Sequence, residues 1–315
     1  MERIVNEDFV ARAESILRAA CGDRVRTWFP LAPLTSFRIG GPASLYLEPE
    51  SDGDLVAVGE AIRDTAIPFV VLGKGSNVLV SDHGFDGLVL RLGRTYRWAA
   101  RESDRLTAGG AMPLPALAGV AFTHGLAGLE FGVAIPASVG GAVRMNAGAH
   151  GREMAHILES IDVFELLSGA PRRIDAAEAN LSYRGSELPE DAVVVGARVA
   201  LVPGDRGTIR DKMDEAREWR RRTQPLAEPN CGSVFKNPPA DSAARLIEEA
   251  GGKAMSVGGA SVSAKHANFI VAGNGARATD VVELIRAVRE RVHARSGVLL
   301  EPEVHLVGDL DLASR

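Results

Sequence analysis

Cysteine is almost missing from this chain: Cys21 and Cys231 are the only two among 315 residues, and they lie far apart. That excludes a disulfide framework and a zinc site of the usual cysteine spacing, and it suits a reducing compartment. His83, His124 and His150 are scattered rather than spaced as ligands, so no metal site is expected. No apolar run is long enough to cross a bilayer. The N-terminal MERIVNEDFVARAESI is charged and amphipathic, with no signal-peptide core. A net charge of −5 argues against broad nucleic-acid binding. A Walker loop, a GxGxxG turn with a helix behind it and a GxSxG elbow are also lacking, so those three chemistries drop out. No repeat or low-complexity tract is present. What is left, 46% hydrophobic and 24% charged, is the composition of a globular protein with room for two or three lobes.

Glycine, by contrast, is clustered. Residues 132–151 read GVAIPASVGGAVRMNAGAHG, too small and glycine-rich for an ordinary core helix or strand. Bare backbone lets a large flat ligand approach main-chain N–H groups. Successive N–H groups in such a turn make an anion nest suited to a pyrophosphate. A tight bend between two touching layers would have the same composition. A second glycine turn decides between them. Pro68-Phe-Val-Val-Leu72 reads as a short buried strand, and Gly73-Lys-Gly-Ser-Asn77 follows it directly. Two nests, one straight after a strand, point to a dinucleotide.

GKGSN at 73–77, with a segment close to G-I-P-G-S-V-G-G-A-x-x-M-N-A-G-A-Y-G after it, resembles the UDP-N-acetylenolpyruvoylglucosamine reductase family. These are FAD enzymes that complete UDP-N-acetylmuramate in bacterial cell-wall synthesis. The resemblance runs over about 35–308. It departs at Ala134 and Ala137, where glycine is usual, and at Arg144 and His150, where aromatics are frequent. Alanine does not readily adopt φ > 0, so the loop at 134–137 is expected to take a different shape while still binding flavin. His150 itself reads as an ordinary polar residue.

The resemblance implies an α+β fold: a two-lobed FAD-binding domain of the PCMH/vanillyl-alcohol-oxidase type, followed by an α/β substrate-binding domain. A helical arm is expected at 1–33, the FAD domain at 34–203 with lobes at 34–75 and 76–203, and the substrate-binding domain at 207–315. It also implies non-covalent FAD contacts from Arg38, from Gly73, Lys74, Gly75, Ser76 and Asn77, and from Pro136, Ser138, Val139, Gly140, Gly141, Asn146, Ala147 and Gly148.

Hydrophobic spacing supplies the elements. A helix is expected over 8–20 with Phe9, Ala13, Ile16, Leu17 and Ala20 inward, then a strand at 44–48 and a helix at 52–65. Strand signals follow at 88–92, 105–108, 157–165, 171–174 and 193–201, interrupted by a helix at 113–124. Residues 203–207 read as a linker before a helix at 208–222 with Ile209, Met213, Ala216 and Trp219 on one stripe. Arg220, Arg221 and Arg222 end it, either as solvated cations matching the helix dipole or as an attraction for phosphates. Beyond lie a helix at 241–250 capped by Asp241, a strand at 267–272 and a helix at 279–295 with Val281, Ile285, Val288 and Val292 inward. The chain then stays extended over 298–307, with Pro302 marking an edge or bulge.

Three residues carry the implied chemistry, and taken alone each is bland. Ser233, in NCGSVFKNP, is a turn serine; Arg184, in LSYRGS, is a loop arginine; LEPEV offers Glu301 and Glu303, which spacing cannot separate. The resemblance assigns the serine of G-S-x-F-K-N-P as proton donor, a neutral hydroxyl that yields its proton only to a strong base such as a carbanion on the substrate. It places the arginine of Y-R beside the enolpyruvyl group, where a planar fork can hold a carboxylate and stabilise an enolate. Its L-x-x-E-V pattern selects Glu303 to stabilise the intermediate, with Glu301 as the alternative. Tyr183, Lys236, Asn237 and Lys265 are candidates for the substrate and its diphosphate. About fifty residues separate Arg184 from Ser233, mostly strand and helix, which matches the family variant without an extra tyrosine-bearing loop.

The implied function is NADPH-dependent reduction of an enolpyruvyl ether of UDP-N-acetylglucosamine through FAD. NADPH and the substrate would use one cleft in turn, so ping-pong kinetics are expected. Two other readings stand. Another FAD oxidoreductase of the same superfamily, such as an alcohol oxidase, would lack the Ser233, Arg184 and Glu303 set. A degenerate nucleotide-sugar binding protein would have no need to keep that set. Small molecules are the expected partners, with no nucleic acid, membrane or obligate protein partner, and the cytoplasm is the expected location.

Overall fold

The computed structural model describes residues 2–312, with side chains from Asp8 onward. It is an α+β protein that divides into two compact units, neither continuous in sequence. One comprises 1–27, 45–74 and 87–220; the other comprises 28–44, 75–86 and 221–315.

In the first unit, helix α1 (Glu2–Cys21) packs on α2 (Asp52–Thr65), with Ala13, Leu17 and Cys21 buried among Leu55, Val58 and Ile62. The buried stripe on α1 is spaced by four, one ridge laid against a single neighbour. Phe9, expected inward, is 44% exposed, and Ala20 faces solvent. Helix α2 starts where Ser51 Oγ accepts the Asp54 N–H and ends at Ala66 in the left-handed region. Residues 26–27, 45–47 and 87–90, with Phe69–Val71, are this unit's share of a four-stranded sheet in the order Arg26–Pro30, Pro42–Leu47, Phe85–Leu90, Phe69–Val71. The strand expected to be buried at 68–72 is the last of the four, so one flank is open and Val71 is 40% exposed. The strand Arg26–Pro30 has no counterpart among the expected elements. It lies at the other edge, where Pro30 costs no ladder bond.

The rest of this unit is a five-stranded antiparallel sheet in the order Ala170–Asp175, Leu158–Glu165, Ala192–Ala200, Arg105–Gly109, Ala99–Glu102. Helix α3 (Leu114–Thr123) shares its core, where Leu106, Ile161, Val163 and Val199 meet Leu114, Leu117 and Ala121. Residues 139–144, expected as an open glycine nest, instead form a short helix, α4 (Val139–Arg144), capped by Ser138 Oγ accepting the Gly141 N–H at 3.3 Å. Pro203, the first residue of the expected linker, lies in a strand: Val202–Pro203 pairs with Leu126–Ala127. Helix α5 (Arg206–Thr223) starts early because Asp205 accepts the Thr208 N–H at 2.8 Å. Ile209, Met213 and Ala216 are buried along it, whereas Trp219 is 39% exposed. Arg220 at its end is half-buried, and burial lowers its pKa, so it is not the solvated cation one reading supposed.

The second unit has a core of Phe37, Leu79, Phe235 and the apolar faces of α6 (Ala243–Glu249) and α7 (Ala278–Ser296). Val281, Ile285, Val288 and Val292 are buried as their spacing requires, and Gly297 closes α7 in the left-handed region with its N–H on His293 O. Asp241 does not cap α6; it pairs with Arg245, and Asn237 Oδ1 accepts the Ala243 N–H at 3.0 Å in its place. A three-stranded antiparallel sheet (Ser256–Val257, Ala260–Val262, Ile270–Ala272) and a parallel pair (Val78–Val80 with His305–Val307) complete it. Of the extended stretch expected at 298–307, only its last three residues form a strand. Among the described residues, no helix is long and apolar enough to cross a membrane.

Candidate active site

In the first unit, Gly73, Lys74, Ser138, Gly140 and Gly141 line a cavity of about 290 Å³. The glycines are there for room rather than for φ. A Cβ on Gly73 would lie 2.6 Å from Ser138 Oγ, and one on Gly140 would lie 3.0 Å from Val194 O and 3.2 Å from Gly110 O. Helix α4 can therefore rest on the five-stranded sheet only as glycine, and its start faces the cavity. Val139 and Ala147 are held from behind: the Val139 N–H donates to Met112 O and the Ala147 N–H to Ala142 O, both at 2.8 Å. Pro136 is exposed and does not line the cavity.

Asn146 is fully buried at φ +40°. Its amide donates to Ser182 O at 2.9 Å and accepts the Ala155 N–H at 2.9 Å. Its side chain therefore straps the 181–186 loop to the glycine segment. Arg184, in that loop, donates through Nη2 to Gly148 O at 3.4 Å, and its guanidinium lies 5.1 Å from the Tyr183 ring. Arg184 is held at φ +59°, a region an arginine enters only when its surroundings force it. Arg144, where the family often has an aromatic, is half-buried and donates to the carbonyls of Leu188, Pro189 and Ala192, fastening that loop to α4. His150 stacks edge-on against Trp219, with centroids 5.1 Å apart. Ala134 and Ala137 are not among the positive-φ residues, so the departures from glycine there cost no backbone strain.

In the second unit, Gly75 takes φ +63°, and an added Cβ would collide with Leu34 O. Gly75 O in turn accepts from the Ser36 N–H at 2.9 Å, which ties the second half of the GKGSN turn to the 34–38 segment. Arg38, at φ +58°, donates its N–H to Thr35 Oγ1 at 3.1 Å. Gly232, at φ +81°, approaches Ser76 O. Asn77 Nδ2 donates to Glu303 O at 3.0 Å, and Asn77 O accepts the His305 N–H at 3.0 Å.

The 230–237 segment runs antiparallel to 301–303, bridged at Phe235 and Pro302. The Glu303 N–H donates to Val234 O at 2.7 Å, and the Lys236 N–H to Glu301 O at 2.9 Å. Ser233 and Glu303 are thus brought onto neighbouring stretches of one small scaffold. Buried Asn268 fixes the same scaffold, accepting the Phe235 N–H and donating to Phe235 O. The two glutamates differ: Glu301 is 68% exposed and paired with Lys236 Nζ at 2.6 Å, whereas Glu303 is half-buried. Burial, and then the charge of Glu303, hold the Cys231 thiol well above its usual pKa. Cys231 is therefore a protonated, inert neighbour of the site. Lys265 Nζ donates to Arg221 O at the end of α5, at 2.6 Å. Asn237, as the α6 cap, uses its carbonyl oxygen on the helix.

These residues fit an FAD: a turn without side chains, a cavity that a Cβ would fill, and basic groups around it. Residues 43–171 match the FAD-binding domain family. The chain is thus an FAD-binding oxidoreductase by class. Residues 224–307 match the C-terminal domain of UDP-N-acetylenolpyruvoylglucosamine reductase. The reductase of that name from Heliobacterium modesticaldum is 48% identical over 89% of this chain and 90% of its own length, and that from Myxococcus xanthus 42% over 98% and 99%. The crystal structure of the Thermus caldophilus reductase superposes with a TM-score of 0.79 at 38% identity, covering 90% of this chain and 99% of that one. The chain belongs to the UDP-N-acetylenolpyruvoylglucosamine reductase family.

Proposed function

We propose that the chain catalyses the NADPH-dependent reduction of UDP-N-acetyl-3-O-(1-carboxyvinyl)glucosamine to UDP-N-acetylmuramate, in peptidoglycan precursor synthesis in the cytoplasm. The observation that carries this reading is the pairing of the Ser233 and Glu303 segments through the Glu303 N–H on Val234 O. The serine of a family-specific motif and the half-buried Glu303 thus stand on two paired backbone segments, while the exposed Glu301 is paired with Lys236.

Bound FAD would supply the hydride chemistry that links NADPH to the vinyl carbon. The chain's residues do the rest. Ser233 gives its proton to the adjacent carbon of the substrate. Arg184 holds the carboxylate with its planar fork and stabilises the charge that builds up on it. Glu303 steadies the intermediate. Lys236 and Lys265 are point-charge partners for the diphosphate, and Tyr183 and Asn237 flank the substrate. An exposed ion pair such as Lys236 with Glu301 is worth little and can open when a phosphate arrives.

The test is Ser233→Ala, followed by rapid mixing. Bleaching of bound FAD by NADPH should keep its normal rate, because that half needs no proton from Ser233. Reoxidation by the enolpyruvyl substrate should slow by roughly 10²–10⁴, the usual worth of a positioned general acid. Equal slowing of both halves, or of neither, would return Ser233 to the status of a turn residue.

A further inference from the structure

The cavity of the first unit has a feature that the glycine motifs do not explain. Its charged lining is Lys74, Arg91, Arg94, Arg97 and Arg144 against the single carboxylate Glu48. Arg144 is committed to the carbonyls of the 188–192 loop. Glu48 is committed as well: it accepts the Tyr46 hydroxyl at 2.5 Å and lies 3.9 Å from Arg26 Nη2. Lys74, Arg94 and Arg97 therefore remain around a space of about 290 Å³, joined by Arg91, whose side chain also hydrogen-bonds Tyr46. They crowd one another: burial and the charges of Arg91 and Arg97 hold the Lys74 amine below its usual pKa. Such crowding is costly in the empty protein and is relieved by a ligand carrying two or more negative charges.

The crowding is built into the backbone. Arg91, Arg94 and Arg97 recur every three residues, and Arg94–Tyr96 is a 3₁₀ turn, in which side chains three apart share a face. Glu50 locks this turn, accepting the Arg94 N–H at 3.1 Å and the Thr95 N–H at 2.8 Å and taking Thr95 Oγ1 on its own carbonyl. A Cβ on Gly93 would strike the Glu50 carboxylate. The lining also holds five glycines and no aromatic ring. At about 290 Å³ it lies at the small end of ligand sites, which run to about 1,000 Å³, so it has room for part of a dinucleotide.

We propose that Arg91, Arg94 and Arg97 are a diphosphate grip, so that this cavity takes the ADP half of FAD and makes the chain select FAD over FMN. The inference rests on the FAD reading above and adds which half enters and which side chains choose it. A nucleoside diphosphate could also come from the UDP-sugar, so the test separates the two sources.

Arg94 and Arg97 are exposed, so Arg94→Gln/Arg97→Gln should leave the packing intact, which an unchanged melting temperature without flavin would verify. Equilibrium dialysis of the full chain then measures FAD and FMN binding. The FAD Kd should rise roughly 10²-fold, about tenfold for each charge-assisted hydrogen bond lost, while the FMN Kd moves less than about threefold. Added KCl should weaken FAD binding more steeply in the wild type than in the variant. ADP should displace FAD from the wild type, and UDP at the same concentration should not. The Arg94→Lys/Arg97→Lys pair should recover part of the loss, which separates charge from shape. An unchanged FAD Kd, an equal loss for FMN, or displacement by UDP as strong as by ADP would overturn the proposal. A wild type that binds no flavin at all would overturn the functional reading itself, a different result from a variant that binds FAD as the wild type does.

Discussion

The candidate site in the first unit is made of backbone from which side chains have been removed. In the second unit it is made of side chains mounted on backbone whose bonds are already taken. Gly73 and Gly140 are where a methyl group would strike Ser138 or the carbonyls of Val194 and Gly110. Ser233, Lys236 and Glu303 stand on two segments laced through Val234, Glu301 and Asn268. The first arrangement selects by shape and charge, and is damaged by adding atoms. In the proposed reaction the second would supply a proton and a carboxylate, and would be damaged by removing them. Arg184 belongs to the first unit yet resembles the second in kind, a candidate side chain held in a strained backbone by its neighbours.

Arg184→Lys tests that exception and should have the largest effect. Lysine keeps the charge and the same left-handed backbone cost, and loses only the planar fork. Turnover should fall by roughly 10²–10³, the usual cost of one donor at a developing oxyanion. A steady-state assay showing near-normal turnover would remove Arg184 from the reacting centre. Gly140→Ala comes next. Overpacking α4 against the sheet costs roughly 1–3 kcal/mol, and because α4 lines the cavity, FAD affinity should drop about 10- to 100-fold in dialysis while the fold survives. If FAD binding is unchanged, the bare backbone is not what receives the cofactor.

Two smaller effects lie outside either site. Asp54 is buried and forms two hydrogen bonds with the Arg24 guanidinium, at 2.6 and 2.7 Å. The Arg24 hydrogen bonds hold its pKa at about 2, below its ordinary 3.8. A carboxylate lowered in this way adds stability that is complete above about pH 4 and is lost as the pH falls through 2. Asp54→Asn should therefore cost about 1–2 kcal/mol at pH 7, reduced from the full linkage value because Arg24 is 43% exposed. Denaturant titrations should find the gap between the two proteins closing in acid. Gly119→Ala should act in the opposite direction. A Cβ there meets nothing within 4 Å, and the site is interior to α3, so stability should rise by about 0.5–1 kcal/mol with FAD binding unchanged. Together with Gly140→Ala it asks whether glycine is needed for approach or merely tolerated.

The same division governs what could be read in the chain. Residues 73–77 and 140–148 announce themselves, because clustered glycine is rare enough to be a signal. Their form was less legible: Gly140-Gly141 argues against a helix by propensity, and α4 exists because the missing Cβ atoms let it lie on Val194 and Gly110. Ser233, Arg184 and Glu303 carry no local signal beyond the resemblance. Glu301 and Glu303 separate only once Lys236 is seen to take the former. The cap of α6 comes from Asn237, six residues before the helix begins to donate, where spacing rules look to Asp241 or Ser242. The arginine grip was legible in principle, since R-x-x-R-x-x-R directly after a strand fits a 3₁₀ turn, but each arginine alone reads as solvated surface.

The most direct measurement is on the unaltered protein, mixed anaerobically with its two ligands in turn. One equivalent of NADPH should bleach the bound FAD. The enolpyruvyl UDP-sugar should then restore the yellow colour, with one equivalent of UDP-N-acetylmuramate formed per flavin. UDP-N-acetylglucosamine, which lacks the double bond, should leave the flavin bleached. If colour fails to return with the enolpyruvyl compound, or returns equally with the saturated sugar, the proposed reduction by this chain is contradicted.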